Sequence, residues 1–149
     1  MPIISKETDM EDYVSFEQAK KLKELGFDWK TYCAYDKIYK DDRPWELRNY
    51  HTPQNHNLAQ YSASAPTMSQ AQKWLREKHY LSIEVYSSLD GDNQWEWHYY
   101  VQDLNDHLER PADATIHCDG YQSYEQALSA GIDKALELLK QTDNEHDSK

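Results

Sequence analysis

Glycine and cysteine are scarce in this sequence of 149 residues. The four glycines are scattered, and none belongs to a nucleotide-binding fingerprint, so the sequence lacks a glycine-rich phosphate loop. The two cysteines, Cys33 and Cys118, are too few for a Cys-rich structural zinc site. Two thiols in a chain of this size are typical of a reducing compartment, so we expect a cytoplasmic protein; one disulfide is the alternative.

Long apolar runs are also missing. No stretch approaches the roughly 20 apolar residues that a membrane-spanning helix needs. The first residues, Met1 to Glu7, lack the basic start and the apolar stretch of a secretory signal. The sequence therefore predicts no membrane association.

Basic residues are nearly absent from one part of the chain, and the net charge is −11. Arg110 is the only Lys or Arg between Tyr80 and Asp133, a range that holds eleven acidic residues. Residues 1–60 are closer to balance, with nine basic and eleven acidic residues. Because phosphate backbones are bound by Lys and Arg, we expect no nucleic-acid partner for the acidic part. Solubility alone is a sufficient explanation of the same charge.

Aromatic residues are abundant, with twelve Tyr and five Trp in the chain. A disordered chain is poor in these residues, so their number predicts a folded core built on aromatics. The length fits one domain, or one domain with a small appendage.

Three stretches resemble one another: "SFEQAK" from Ser15, "TMSQAQ" from Thr67 and "SYEQAL" from Ser123. Each places Gln three residues after Ser or Thr, which is the capping box of a helix start. An apolar helical pattern follows each of them. They therefore predict three helices and need no functional interpretation.

Gly26 is expected to end the first helix and to fold Phe27 back onto Leu22. Gly131, inside the last helix, is expected to mark close packing against a sheet.

Two segments with alternating apolar and polar residues, 81–86 and 95–101, flank a turn centred on Asp90-Gly91 and predict a β-hairpin. Residues 114–118 predict a weaker third strand. Residues 67–140 thus form an α-β-β-β-α unit with the topology of a double-stranded-RNA-binding domain. Its two helices are expected to cover one face of the sheet. That face carries Leu81, Ile83, Val85, Trp95, Trp97 and Tyr99.

The remaining residues complete an α+β fold: an antiparallel sheet of three or more strands with helices on one face, plus an N-terminal helix and strand extension. Residues 29–39 alternate loosely and predict one or two strands through Tyr32, Ala34 and Ile38. Residues 41–66 predict a long irregular connection, and its expected anchors are Trp45, Tyr50 and Tyr61. The predicted organisation is an N-terminal part at 1–66, a core at 67–140 and a disordered tail at 141–149.

The combination of segments resembles a known group. "AKKLKELGFD" near a cysteine is followed by "APTMSQAQKWLRE", a strand rich in Trp and Tyr, and "SYEQALSAGIDKALELL". The chain resembles small uncharacterised proteins of Bacteroides-type phages and prophage-like elements, most strongly over 65–77 and 123–139. The resemblance implies an intracellular bacterial protein of mobile-element origin that acts on host or phage machinery. It brings no catalytic residues.

Candidate chemistry is sparse. His51 and His56 follow Asp41 and Asp42 in the predicted loop, and residues 117–119 add His, Cys and Asp, but no pair has the spacing of a zinc site. We therefore predict no metal and no cofactor. A Cys–His pair is conceivable, although the acid-rich surroundings of Cys118 oppose a reactive thiolate. No catalytic residue is predicted.

The face of the hairpin opposite the expected helices is the candidate partner-binding surface. Its residues are Glu84, Tyr86, Glu96, His98 and Tyr100. Tyrosine is enriched in protein interfaces, so an exposed strip of aromatic and acidic residues fits a protein partner. The alternative is that the N-terminal segment folds over this strip.

Four functional hypotheses follow. The leading one is a non-enzymatic acidic binding protein of phage or mobile-element type that acts by protein–protein contact. The second is a nucleic-acid mimic that inhibits a nuclease or a DNA-binding protein. The third is a small hydrolase-like enzyme that uses Asp42, His51 and His56. The last is direct nucleic-acid binding through Lys20, Lys21, Lys23 and Lys30.

Overall fold

The predicted α+β class is confirmed. A computed structural model of the chain describes residues 13–106 and 120–147, of which residues 142–147 are described by their backbone only. These residues form three α-helices and two antiparallel sheets. The chain divides into two compact units, Met1–Gln70 and Ala71–Lys149. Every helix in the described part of the chain is too short or too polar to cross a membrane.

The first helix, α1 (Phe16–Glu24), is fixed at both ends by local hydrogen bonds. The Gln18 amide donates to Ser15 Oγ at 3.2 Å, and the Ser15 amide donates to Gln18 Oε1 at 2.9 Å, so the predicted capping box is confirmed. Gly26 has a φ of +91°, and the Phe27 amide donates to the Leu22 carbonyl at 3.0 Å. This left-handed glycine with its returning hydrogen bond is the predicted helix stop.

The first unit contains a three-stranded sheet with the order β2-β1-β3, formed by β1 (Thr31–Asp36), β2 (Glu46–Gln54) and β3 (Ser62–Ala65). A 3-10 turn, His56–Leu58, lies between β2 and β3. Both neighbours pair with β1 in antiparallel register.

The expected irregular connection at 41–66 is therefore wrong, because it contains two of the three strands. Strand β2 is an edge strand whose side chains are almost all exposed, so it shows no alternation of apolar and polar residues. Strand β3 consists of Ser and Ala, which carry no strand signal. Trp45 does anchor the segment, with its ring 5.1 Å from that of Phe16, whereas Tyr61 is exposed.

The second unit is built on a hairpin between β4 (Leu81–Leu89) and β5 (Trp95–Asp103). Helix α2 (Met68–His79) precedes it, and the predicted capping box of Thr67 and Gln70 is present at 3.1 and 3.3 Å. Helix α3 (Tyr124–Asp147) follows. At its start the Gln126 amide donates to Ser123 Oγ at 3.1 Å, but Gln126 Oε1 accepts from the Gln122 amide, so only half of the predicted box forms.

Helix α3 packs directly on the hairpin, as Gly131 predicts. A Cβ atom at Gly131 would lie 2.5 Å from Ile83 Cγ2 and 3.3 Å from Tyr99 Cδ2, so a side chain has no space there. At the free edge of β4, the side chain of Gln72 on α2 donates to the Ile83 carbonyl at 2.8 Å. At the edge of β5, Trp97 and Tyr121 exchange two backbone hydrogen bonds of 2.9 and 2.7 Å.

The expected sealing of the whole aromatic face is wrong at one end. Trp95 is 66% exposed, and Leu89, directly opposite it, is 51% exposed. Helix α3 does not extend far enough along the hairpin to cover Trp95. Its first residue, Tyr124, packs against Trp97, which precedes Trp95 by one position on the same face when β5 is followed from the helix towards the turn. The hairpin therefore projects past the start of the helix.

Two other expectations concern the ends of the second unit. The predicted third strand at 114–118 lies outside the described residues, so the likeness to the double-stranded-RNA-binding topology stays a prediction. Helix α3 continues to Asp147, through most of the segment predicted as a tail from Gln141.

The contact at Gly131 gives a direct test of this packing. Replacing Gly131 by Ala raises helix propensity by about 1 kcal/mol, but crowding against Ile83 costs about 1–3 kcal/mol. We expect G131A to lower the free energy of unfolding in urea by about 1 kcal/mol net. The control is G91A, since nothing lies within 4 Å of a Cβ at Gly91; it should change stability by less than about 0.5 kcal/mol. A G131A variant as stable as the wild type would contradict the close approach.

Candidate partner-binding surface

The hairpin register brings all five predicted partner-binding residues together on one face. Glu84 pairs with Tyr100, Tyr86 with His98, and the next pair adds Glu96. Ser88, opposite Glu96, completes the set. We call these six residues the tyrosine–carboxylate face: Glu84, Tyr86, Ser88, Glu96, His98 and Tyr100. It is the side of the hairpin away from Ile83 and α3, because successive side chains of a strand alternate between its faces.

The two tyrosines of this face are open to solvent. Tyr86 is 44% exposed and Tyr100 is 41% exposed, and Glu84 between them is exposed as well. The Tyr86 ring stacks on the His98 ring with centroids 5.2 Å apart and planes at 21°, and it lies 6.1 Å from the Tyr100 ring. Offset stacking of this kind stabilises the position of the Tyr86 ring. The face therefore presents Tyr86 supported by His98, with Tyr100 beside it.

His98 is the fixed point beneath Tyr86. Its side chain is only 11% exposed, and its Nε2 lies 2.9 Å from Ser88 Oγ and 3.6 Å from Glu96 Oε2. A serine–histidine–acid catalytic group needs the acid on the ring nitrogen opposite the one that serves the serine. Here the hydroxyl and the carboxylate share one nitrogen. The arrangement therefore orients the imidazole and does not activate Ser88.

Glu96 is held in place by the returning chain. A Cβ atom at Gly120 would lie 2.5 Å from both Cβ and Oε2 of Glu96, so only glycine fits against that side chain. The side chain of Glu96 is accordingly 32% exposed. Glu96 and His98 thus support the face, whereas Glu84, Tyr86 and Tyr100 are its accessible residues.

Sequence analysis missed Ser88, although the alternation from Tyr86 places it on the same face. The sequence pattern places Ser88 in the turn, since residues 88–93, "SLDGDN", are rich in turn-forming residues. Strand β4 in fact continues to Leu89, and the turn begins only at Asp90.

A second polar cluster occupies the first unit. Buried Asp36 accepts hydrogen bonds from the Tyr50 hydroxyl and from Ser62 Oγ, the latter at 2.5 Å. The bond to Asp36 raises the pKa of Tyr50; burial and the Asp36 charge add to this effect, and Arg48 opposes it. Both carboxylate oxygens therefore have a hydroxyl donor, so the cluster is a closed structural network.

His56 packs beside this network, with its ring 4.5 Å from the ring of Tyr50. It is buried, its Nε2 lies 3.1 Å from the Thr31 carbonyl, and its amide donates to Ser64 Oγ at 3.1 Å. The register of β1 and β2 breaks between Thr31 and Cys33, and the His56 ring supplies a partner at that irregularity. The other two residues of the hydrolase hypothesis, Asp42 and His51, are exposed. His56 therefore has a structural role.

The lysines proposed for nucleic-acid binding are partly engaged. The Lys23 ammonium donates to the carbonyl oxygens of Ala59 and Ser62 at 2.7 and 2.6 Å, and burial lowers its pKa. Lys20 lies 3.5 Å from Glu17 on the same helix. Lys21 and Lys30 are exposed. Lys23 thus links helix α1 to the residues between the 3-10 turn and β3.

Cys33 is a buried free thiol, and Cys118 lies outside the described residues. Within residues 13–106 and 120–141, no three His, Cys, Asp or Glu side chains come close enough together to hold a metal ion.

Comparisons with known proteins give no further assignment: no family model matches the chain, and neither a curated protein nor a solved structure matches it. The resemblance to phage and prophage proteins therefore stays a prediction.

The Asp36 network predicts a loss of stability in alkaline solution. Because the folded pKa of Tyr50 is raised, its stabilising effect is complete below the unfolded pKa of about 10 and is lost as the pH rises through the folded pKa. We expect Y50F to lose about 1–3 kcal/mol at neutral pH, because Asp36 loses a donor, and to lose less additional stability than the wild type above pH ~10.

Urea unfolding between pH 7 and pH ~11 measures both effects. Tyr35, whose pKa is raised by burial and by Cys33, titrates in both proteins and so cancels in the comparison. Y32F is the control, because Tyr32 is 55% exposed. If Y50F and Y32F behave alike, Asp36 does not depend on Tyr50.

Proposed function

We propose that this chain is a non-enzymatic binding protein that acts by protein–protein contact through the tyrosine–carboxylate face. The observation that carries the proposal is the exposure of Tyr86 and Tyr100 on a framework that is already fixed. Tyr86 stacks on His98, and His98 is held by Ser88. Aromatic side chains with few free torsions contribute large contact areas at low entropic cost, which is the usual chemistry of interface hot spots.

The charge of the face adds a preference for the partner. Glu84 is exposed beside both tyrosines, and β4, β5 and their turn contain no Lys or Arg. A partner surface with basic groups around an apolar patch complements this arrangement. The same charge disfavours nucleic acid as the partner.

The proposed setting follows the sequence resemblance. We place the protein in the cytoplasm of a bacterium, encoded by a phage or a mobile element, with a protein of the host or of the phage as its partner. The buried free thiol of Cys33 supports the cytoplasmic part of this placement, because it suits a reducing compartment.

Nucleic-acid mimicry is the second candidate, and one observation favours it. The hairpin carries Glu84, Asp90, Asp92, Glu96 and Asp103 without a single cation. Glu84 and Glu96 lie on one face with Asp90 and Asp92 at the adjoining turn, and such an acidic surface can occupy the basic groove of a nuclease or a DNA-binding protein. A mimic releases DNA from its partner in a competition gel, whereas a partner that binds this protein and DNA at the same time excludes mimicry.

The tyrosines give the decisive test of the proposed function. Affinity capture from a bacterial lysate, followed by purification of the captured protein, supplies a partner whose Kd can be measured by calorimetry. We expect Y86A and Y100A each to weaken binding by about tenfold or more, as interface tyrosines do. The control is Y32A, since Tyr32 is an exposed tyrosine of the first unit.

Circular dichroism and urea unfolding verify that each variant stays folded. If the partner binds the Y86A/Y100A double variant with the same Kd as the wild type, the tyrosine–carboxylate face is not the contact surface. A measured turnover of a substrate that depends on Asp42 or His51 replaces the proposal with the hydrolase hypothesis.

A further inference from the structure

The tip of the hairpin exposes an apolar pair that the fold does not use. Leu89 and Trp95 face each other as the last pair of β4 and β5, at 51% and 66% exposure. They lie on the side of the hairpin that α3 covers, opposite the tyrosine–carboxylate face. The helix reaches only as far as Trp97, which meets the ring of Tyr124 at 5.6 Å and 82°. An exposed tryptophan with a leucine beside it is the kind of apolar patch that marks a contact site.

Hydrogen bonds close the turn that carries this pair. The Asp90 amide donates to the Gln94 carbonyl at 2.8 Å, and Asp90 Oδ1 accepts from the amides of Asp92 and Gln94 at 2.7 and 2.9 Å. Asn93 takes the left-handed conformation with a φ of +61°, which asparagine tolerates in turns. The backbone at Leu89 and Trp95 is therefore set before any partner arrives, which reduces the loss of backbone entropy on binding.

The charge around the tip selects the occupant. Asp90 and Asp92 lie in the turn between Leu89 and Trp95, and no Lys or Arg occurs in β4, β5 or the turn. Phosphates of a nucleic acid or of anionic lipids are repelled, and so is the equally acidic tip of a second copy. Arginine suits the site best, because its planar guanidinium stacks on an indole face and pairs with a carboxylate through two hydrogen bonds.

We propose that the hairpin tip, formed by Leu89, Asp90, Asp92 and Trp95, docks a protein segment that presents arginine next to an apolar side chain. The guanidinium lies over Trp95 and pairs with Asp92, while the apolar side chain packs against Leu89. The inference rests on the proposed function in taking the chain as a protein-binding one. It uses the opposite side of the hairpin, so either surface can fail without the other.

The test uses the full chain and a fluorescein-labelled decapeptide of alternating Arg and Leu, with binding followed by anisotropy at 50 and 200 mM salt. A Lys–Leu decapeptide, a Glu–Leu decapeptide, a dT decanucleotide and phosphatidylcholine vesicles are the comparison probes. We expect saturable binding of the Arg–Leu peptide, at least about fivefold tighter than that of the Lys–Leu peptide, because guanidinium stacks better than ammonium.

Matched variants locate the site. W95A is expected to weaken binding of the Arg–Leu peptide about tenfold, whereas Y32A, in the first unit, leaves it unchanged. D92N is expected to weaken binding and to reduce its salt dependence, whereas D28N, at an exposed acid of the first unit, does not. Because Trp95 is mostly exposed, W95A removes little packing, and urea unfolding confirms its stability.

Four outcomes overturn the proposal: equal affinity of W95A and wild type, equal affinity for the Lys–Leu peptide, binding of the oligonucleotide or the vesicles as tight as that of the Arg–Leu peptide, or no saturable binding up to about 1 mM. If Y86A loses the Arg–Leu peptide while W95A retains it, the peptide binds the tyrosine–carboxylate face; that result overturns the tip proposal and leaves the proposed function standing.

Discussion

The close approach of α3 to the hairpin at Gly131 is the constraint on which the second unit depends. Two strands alone are marginally stable in water, and they need a packing partner. The missing side chain at Gly131 lets the helix backbone come within van der Waals contact of Ile83 and Tyr99. Ile132 and Leu136 on the same helix are buried as a result. A single helix covers only one side of two strands, so the opposite side, with Tyr86 and Tyr100, is left for contacts outside this packing.

The first unit is stabilised by different means. The central strand of its sheet, β1, has small or polar side chains at several positions. Hydrogen bonds between polar groups therefore help to hold the three strands together. The Asp36 carboxylate joins β1 to Tyr50 on β2 and Ser62 on β3, and Lys23 binds backbone carbonyls beside β3. Such networks stabilise a fold only when every member has its partners, as is the case here. Polar residues that resemble catalytic groups in the sequence, His56 above all, therefore serve the architecture.

The sequence predicts best those elements that are determined by residues close together in the chain. The helix starts at Ser15 and Thr67 and the stop at Gly26 depend on residues three to five positions apart, and the structure confirms them. Strands β2 and β3 gave no pattern, because one is exposed along its length and the other has only Ser and Ala. Alternation placed the five predicted residues on one face correctly. Alternation could not predict that Trp95 is exposed. It shows on which face of the sheet a side chain lies, but not how much of that face the helix covers.

The acidity and the aromatic residues of the hairpin have separable consequences. Charges at the rim of a contact surface mainly change association rate and partner choice, and their effect is screened by salt. Buried aromatic contacts carry most of the affinity and act on the dissociation rate. Under the proposed function, the absence of Lys and Arg from β4, β5 and their turn disfavours phosphate-bearing partners at long range, and the exposed Tyr86, Tyr100 and Trp95 side chains supply the short-range contacts. Because Tyr86 already stacks on His98 and the Asp90 turn is closed by hydrogen bonds, less conformational entropy remains to be lost on binding at these positions.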